Sequence, residues 1–493
     1  MLVYCYFVNI VFFLCFFPYF KLIPNITAEV QPFCGFVALF LIFLRKRKLD
    51  PISQKILYII ALLLFYWLVS FYRGLGFSTL VLSIISYTLP LFILLVFKDD
   101  ISYVTEKTFL SVILINLSIG ILQLLGGFGF LNNILALIIS RGTGSSSLDG
   151  LRGITLLTPE PSHAGRTLGL LLCTAFFFHA LRRISKIKLG AIIVALIILL
   201  VANKSGTGFI LFSIFICSYL LSRFILNKGK KLNFKIKFSA AFLFKLIISI
   251  LLGVLVILAL WFSIDALYIR FPIRFLQILL RIRNSFSNFY NFNLYHFLAL
   301  VAGKRYLTVA IGYFSLFQNY GLGHGLSSYL MDFTQLSQFA GVDFQSITTL
   351  PLFERTATAL KPDSYGASIA QDTGIVGLIL LLTLLISVWK SVRLPNVMDL
   401  PPSYLRHTQS VCIAIFAVAL YMILLNTSTS LPFPWLLLSY VYCLRQILTS
   451  GQIKAISPNS SASPFNWVFL RSVLWTPYLL SPLLFQRLMR KLV

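Results

Sequence analysis

The stretch T-P-E-P-S-H-A-G at residues 158–165 carries two side chains that can exchange protons. Glu160 places a carboxylate between two prolines, and His163 places an imidazole three residues later. Arg152 and Arg166 flank the pair, and Arg152 is a candidate for binding an anion. Either group could act as general base on a hydroxyl, with Glu160 the first candidate and His163 the second. Two alternatives stay open: Glu160 caps a helix that begins near residue 164, or it pairs with Arg152 and orients it.

A second basic group lies in residues 268–283, Y-I-R-F-P-I-R-F-L-Q-I-L-L-R-I-R. Arg270, Arg274, Gln277 and Arg281 fall within roughly 60° of arc on a helix, counting about 100° per residue. The remaining positions are mostly Ile, Leu and Phe, so the segment is predicted to be an amphipathic helix on a membrane surface. It is either an interfacial anchor or a set of arginines that binds an anionic lipid headgroup.

Two further segments, 303–329 and 361–378, contribute polar candidates among glycines. Arg305 is a second candidate for stabilising negative charge in a reaction. His324 stands among Gly321, Gly323 and Gly325, which predict a tight turn, and it is either a packing residue of that turn or part of a substrate site. Asp363 is a further substrate-binding candidate.

The composition of the chain indicates the kind of secondary structure that carries these polar side chains. The 493 residues are 58% hydrophobic and 11% charged, and the mean hydropathy is +0.90. Continuous apolar runs near the ~20 residues of a bilayer-crossing helix recur along the chain, which predicts an all-α integral membrane protein. The net charge of +27 is explained by basic loops rather than by nucleic acid. The seven cysteines lack metal-ligand spacing and are interpreted as small hydrophobic residues.

Twelve membrane-spanning helices are predicted, the first of them a retained span rather than a signal peptide. The predicted spans are 3–20, 31–44, 55–71, 78–97, 109–128, 164–181, 189–202, 207–226, 246–264, 367–389, 409–427 and 432–448. Residues 465–486 are predicted to form an interfacial helix, with a thirteenth span as the alternative.

Basic residues set the predicted orientation. The short loops on one side carry only Lys21, Arg73, Arg141, Arg152 and Lys204, whereas the loops on the other side carry most of the Lys and Arg. The basic side is predicted to be cytoplasmic, with both termini inside. The chain then divides into N-terminal helices (1–128), an outer loop (129–163), central helices (164–264), a large periplasmic loop (265–366), C-terminal helices (367–448) and a tail (449–493).

Several short motifs resemble the O-antigen polymerase (Wzy) family, within the superfamily that also contains the O-antigen ligases. They are Arg152-Gly153, Glu160-Pro161-Ser162, N-K-S-G-T-G at 203–208, the Arg305 segment running into N-Y-G-L-G-H-G, and Q-D-T-G-I-V-G-L at 371–378. The resemblance covers roughly residues 105–390. Ligases usually carry a His-Asn pair before the glycine that matches Gly374; here Asp363-Ser364 stands in that place, which favours a polymerase.

The resemblance implies a bacterial inner-membrane helix bundle, similar to the GT-C class, that transfers glycan from an undecaprenyl-diphosphate carrier without a metal or other cofactor. Its product would be O-antigen, capsule or exopolysaccharide, and a chain-length regulator protein is a further candidate partner. The chemistry agrees, since a diphosphate leaving group needs cations and an attacking hydroxyl needs one base. Neither a glycosidase carboxylate pair nor an acidic metal motif is evident. The rival functions are an O-antigen ligase that uses lipid A–core and a polysaccharide flippase or other transporter.

Overall fold

The computed structural model describes residues 2–20, 33–45, 49–125, 153–227, 304–328, 362–392 and 402–449, with Ile139, Ser263 and Ile269. Within these ranges the chain forms twelve α-helices. They are α1 (Leu2–Cys15), α2 (Phe33–Leu44), α3 (Pro51–Tyr72), α4 (Phe77–Asp100), α5 (Glu106–Leu124), α6 (Pro161–Ala180), α7 (Lys186–Asn203), α8 (Gly206–Asn227), α9 (Lys304–Gln318), α10 (Tyr365–Val392), α11 (Pro402–Leu425) and α12 (Phe433–Thr449).

Local sequence signals account for several helix starts. Asp50, Thr105 and Ser185 each accept a hydrogen bond from a backbone N–H three residues later, so they cap α3, α5 and α7. Proline is the first residue of both α3 and α6, where its missing N–H costs nothing. The apolar runs that follow then continue as helix, because a helix satisfies its own backbone groups in lipid.

Seven of these helices, α3, α4, α5, α7, α8, α10 and α11, are long and apolar enough to cross a membrane. The described chain contains isolated β-bridges and no strand. The prediction of an all-helical, multi-pass membrane protein is therefore confirmed for this part of the chain. Every predicted span except 246–264 overlaps one of the helices, and of that span only Ser263 is described. Residues 465–486 lie outside the described ranges.

Consecutive helices from α1 to α8 and from α10 to α12 run back and forth between two ends of the bundle. At one end Arg45 pairs with Asp100, Lys98 lies 3.2 Å from Asp50, and Lys188 lies 2.7 Å from Glu106. We call this the basic end. Partial burial tends to raise the pKa of Asp50, but hydrogen bonds from Ser53 and the charge of Lys98 bring that pKa below its usual value.

The opposite end of the bundle contains Arg166 and Asp363, and we call it the cluster end. Part of the predicted loop 265–366 packs there. Helix α9 packs on α10, and a Cβ added to Gly312 would lie 2.8 Å from Pro362 and 3.0 Å from Ala367. The glycine loop, residues 319–328, then lies against α3, α4 and α10. The backbone N–H of Gly323 donates to the hydroxyl oxygen of Tyr66 on α3 at 3.3 Å. The described part of this loop is therefore folded into the bundle.

Gly374 breaks α10 where the glycine loop crosses it. Its φ of 70° and ψ of −158° are not helical, and a Cβ there would lie 2.4 Å from the carbonyl oxygen of Gly321. The N–H of Ile375 donates to that same carbonyl at 2.8 Å. Only glycine combines this backbone conformation with so close an approach, which explains the glycine of the Q-D-T-G motif.

Candidate functional site

A fully buried arginine on α6 organises the polar groups at the cluster end. The Arg166 side chain has 0% exposure, and its Nη2 donates to Asp363 Oδ2 at 2.5 Å. Nε and Nη2 also donate to Asn426 Oδ1, at 3.2 and 2.7 Å, and Nη1 lies 3.2 Å from His163 Nδ1. We call Arg166, His163, Asp363 and Asn426 the arginine cluster. A buried guanidinium is stable there because a carboxylate, an amide oxygen and a ring nitrogen surround it.

The alternating helices bring these four residues together. His163 and Arg166 are three residues apart on α6, so they share one face of its first turns. Asp363 stands just before the start of α10, and Asn426 directly follows the last residue of α11. The start of α6, the start of α10 and the end of α11 all lie at the cluster end.

Tyrosines extend the arginine cluster on two sides. The hydroxyl oxygen of Tyr19, which follows α1, lies 2.6 Å from His163 Nδ1. On the other side, Asn426 Nδ2 donates to the hydroxyl of Tyr421 at 3.4 Å, and that hydroxyl is 2.5 Å from the hydroxyl of Tyr306 on α9. The result is a continuous polar path from the end of α1 to α9.

Glu160 occupies the N-cap position of α6, directly before Pro161. Its backbone is extended, with φ −144°, and its side chain makes no capping hydrogen bond to the helix. Its Oε2 instead accepts from Ser162 Oγ at 3.2 Å, and its carbonyl accepts from Thr158 Oγ1 at 2.9 Å. The side chain is half-buried. The position predicted by the capping alternative is correct, but a capping bond is not what directs this carboxylate.

Small residues and one asparagine fix where α6 begins. Asn203, the last residue of α7, donates from Nδ2 to the carbonyls of Ile154 and Pro161, at 2.6 and 3.0 Å. A Cβ on Gly153 would lie 2.1 Å from the carbonyl oxygen of Asn203, and one on Gly165 would lie 2.7 Å from the backbone nitrogen of Gly208. The R-G and N-K-S-G-T-G motifs therefore position the start of α6, and with it Glu160 and His163.

His324 and a second buried carboxylate lie away from the arginine cluster, where the glycine loop meets α10. The His324 N–H donates to Gln371 O at 3.0 Å, and Arg73 donates to the His324 carbonyl. Asp372 accepts from the hydroxyl of Tyr87 at 2.7 Å and from the N–H of Ser327 at 3.3 Å. At about 1.5 Å per residue, Asp372 lies about 10 Å along α10 from its first residue. His324 is thus a buried residue of the glycine loop, as the packing alternative predicts.

Several predicted site residues fall outside what the structure describes. The structure does not describe Arg152, Arg270, Arg274, Gln277 or Arg281. Arg305 is the second residue of α9. The structure joins His163 and Asp363 through Arg166, adds Asn426 and Tyr19, and places Glu160 three residues before His163 at the N-cap of α6. Arg166 had a sequence signal, since a charged residue inside a membrane helix is commonly functional.

The described residues contain no group of three or more His, Cys, Asp or Glu side chains placed to hold a metal ion. No protein-family model matches the chain, and the comparison with curated proteins found no match.

Proposed function

We propose that this chain is a membrane glycosyltransferase that polymerises undecaprenyl-diphosphate-linked oligosaccharide repeat units of O-antigen, capsule or exopolysaccharide. One observation carries the proposal: the buried Arg166 holds Asp363 and His163 at the cluster end, next to the half-buried carboxylate of Glu160. A half-buried carboxylate close in sequence to a fixed, polar group of side chains suits proton transfer from a sugar hydroxyl. The family resemblance of the sequence motifs points the same way.

The residues divide between two tasks. Glu160 removes the proton of the attacking hydroxyl as it forms the new glycosidic bond. Arg152 and Arg305, with Arg270, Arg274 and Arg281 as a headgroup-binding surface, stabilise the charge that develops on the departing diphosphate. Arg166 is fully buried, so it acts through Asp363 and His163 rather than on the diphosphate. His324 and Asp372 hold the glycine loop against α10.

The proposal includes a finer architecture than the seven apolar helices establish. It has about twelve spans and one large periplasmic loop, in a bundle similar to the GT-C class, in the inner membrane of a bacterium. Support comes from the back-and-forth course of the helices and from the basic end, which the positive-inside rule would place in the cytoplasm. The cluster end would then face the periplasm, where lipid-linked repeat units are joined.

Cysteine labelling tests this orientation. Gly76, at the cluster end, has no atom within 4 Å of the position that a Cβ would take, and Ile187, at the basic end, is 86% exposed. In a cysteine-free background, Gly76→Cys is expected to react with a membrane-impermeant maleimide in intact spheroplasts. Ile187→Cys is expected to react only after permeabilisation. The reverse pattern would contradict the orientation. Ser328 is fully buried and is a poor labelling position.

A transporter is the second candidate, because the described helices contain buried charges. Arg166 and Asp372 lie inside α6 and α10 with 0% and 4% exposure. Such residues also mark transport pathways. An O-antigen ligase is the third candidate. Asp363, which pairs with Arg166, stands where ligases usually carry histidine, and this difference favours a polymerase over a ligase.

Chain growth from purified components separates the three. The protein in lipid vesicles would be given lipid-linked repeat units alone, and the products would be resolved on a gel. A polymerase is expected to give a ladder of lengthening chains without any other acceptor. A ligase is expected to act only when lipid A–core is added. Movement of unaltered repeat units across the vesicle membrane, with no new glycosidic bond, would overturn the proposal in favour of a transporter.

A further inference from the structure

The imidazole of His163 has two hydrogen-bond neighbours at the same ring nitrogen. Nδ1 lies 2.6 Å from the hydroxyl oxygen of Tyr19 and 3.2 Å from Arg166 Nη1. All three side chains are buried, with Tyr19 at 6% exposure, His163 at 8% and Arg166 at 0%. The three groups come from two elements, the segment after α1 and the first turns of α6.

A guanidinium has only donors, so its partner atom must present a lone pair. His163 Nδ1 is therefore the acceptor for Arg166, and the hydroxyl of Tyr19 must also donate to it. A neutral imidazole with a lone pair at Nδ1 carries its proton at Nε2. An imidazolium would instead direct an Nδ1–H at the N–H of Arg166 and would place two cations side by side.

We propose that Arg166 and Tyr19 hold His163 as a neutral imidazole protonated at Nε2, so that His163 acts as a hydrogen-bond donor and not as a base. This proposal deepens the proposed function and rests on it for the substrate. In that reaction His163 donates to an oxygen of the substrate, and Glu160 remains the base. Arg166 and Tyr19 are positioning residues. The nearby charged or titratable groups are Arg166 on α6, Glu160 directly before α6, Tyr19 after α1, Asp363 before α10 and Tyr421 on α11.

The basic end repeats this geometry and supplies an internal check. His407 Nδ1 lies 2.9 Å from the hydroxyl of Tyr219 and 3.3 Å from Arg223 Nη1, so it too must accept. Arg223 also donates to the Tyr219 hydroxyl at 2.7 Å, which leaves the proton of that hydroxyl for His407. His179 is the opposite case, because its Nδ1 lies 2.9 Å from the carbonyl oxygen of Ile184, which can only accept.

Ring-nitrogen NMR decides the tautomers. The full-length protein, labelled with ¹⁵N in its histidine rings, would be measured in lipid vesicles at neutral pH, and His163→Gln and His179→Gln would assign the two signals. His163 is expected to show an unprotonated Nδ1 and a protonated Nε2, and His179 the reverse. Tyr19→Phe removes one donor, so a population protonated at Nδ1 is expected to appear for His163. An imidazolium or an Nδ1–H signal for His163 in the wild-type protein would overturn the proposal.

Chain growth with two variants tests the donor role. Gln carries an amide N–H near the position of the imidazole Nε2–H, whereas Leu has none. His163→Leu is expected to slow growth by about 10²- to 10³-fold, the cost of losing one positioned donor. His163→Gln is expected to recover most of that loss. Equal rates for the two variants, whether both low or both normal, would overturn the donor role. If the wild-type protein makes no polymer, the proposed function fails while the NMR result still decides the tautomer.

Discussion

Glu160→Gln is expected to slow chain growth by about 10²- to 10⁴-fold while the protein still binds lipid-linked donor. Glutamine keeps the size of the side chain and can still accept from Ser162 Oγ, but it has neither charge nor basicity. Pro161 restricts the backbone of Glu160, so the amide is expected to point where the carboxylate points. The rate would be measured as polymer formed per unit time from purified protein and lipid-linked repeat units.

Glu106→Gln is the matched control, because Glu106 is a half-buried carboxylate at the basic end that pairs with Lys188. It is expected to leave chain growth unchanged. If Glu160→Gln polymerises within a few-fold of wild type at equal folded amount, Glu160 is not the base. If donor binding is lost as well, the orientation of Arg152 becomes the better account of this carboxylate.

The local part of the site is predictable from the sequence. Pro161 after a carboxylate, followed by a long apolar run, predicts a helix that begins near residue 164, and the structure begins α6 slightly earlier, at Pro161. The same reasoning places the glycine turn at His324 and the start of α8 within the N-K-S-G-T-G segment, where the structure begins α8 at Gly206. These features depend on neighbouring residues in the chain, so periodicity and turn chemistry are sufficient to find them.

The partners within the site are not predictable in the same way. Arg166 reaches Asp363 across 197 positions of sequence and Asn426 across 260. Nothing local to any of the three indicates the other two, because the pairing depends on which helix ends meet in the folded bundle. Helix α9 lies within residues 265–366, which are predicted from the sequence as one large loop, and the structure packs it on α10.

The Arg166–Asp363 pair gives the second large prediction. Asp363→Asn leaves the guanidinium fully buried without its counter-charge, and breaking a buried pair in this way typically costs about 3–5 kcal/mol. Arg166→Met removes the buried charge itself and leaves Asp363, at 18% exposure, able to reach water, so it is expected to cost less. The double variant, with both Asp363→Asn and Arg166→Met, is expected to be more stable than Asp363→Asn alone, because no unpaired charge stays buried.

Thermal unfolding of the purified variants in one detergent would measure this order, with the Glu106–Lys188 pair as control. That pair is more exposed, with 27% and 56% side-chain exposure, so Glu106→Gln is expected to change stability by at most about 1 kcal/mol. Asp363→Asn should therefore have the lowest midpoint of the set, and adding Arg166→Met should raise it. If the double variant is no more stable than Asp363→Asn, the two side chains are not coupled. Arg166 would then be held by Asn426 and His163 rather than by the carboxylate.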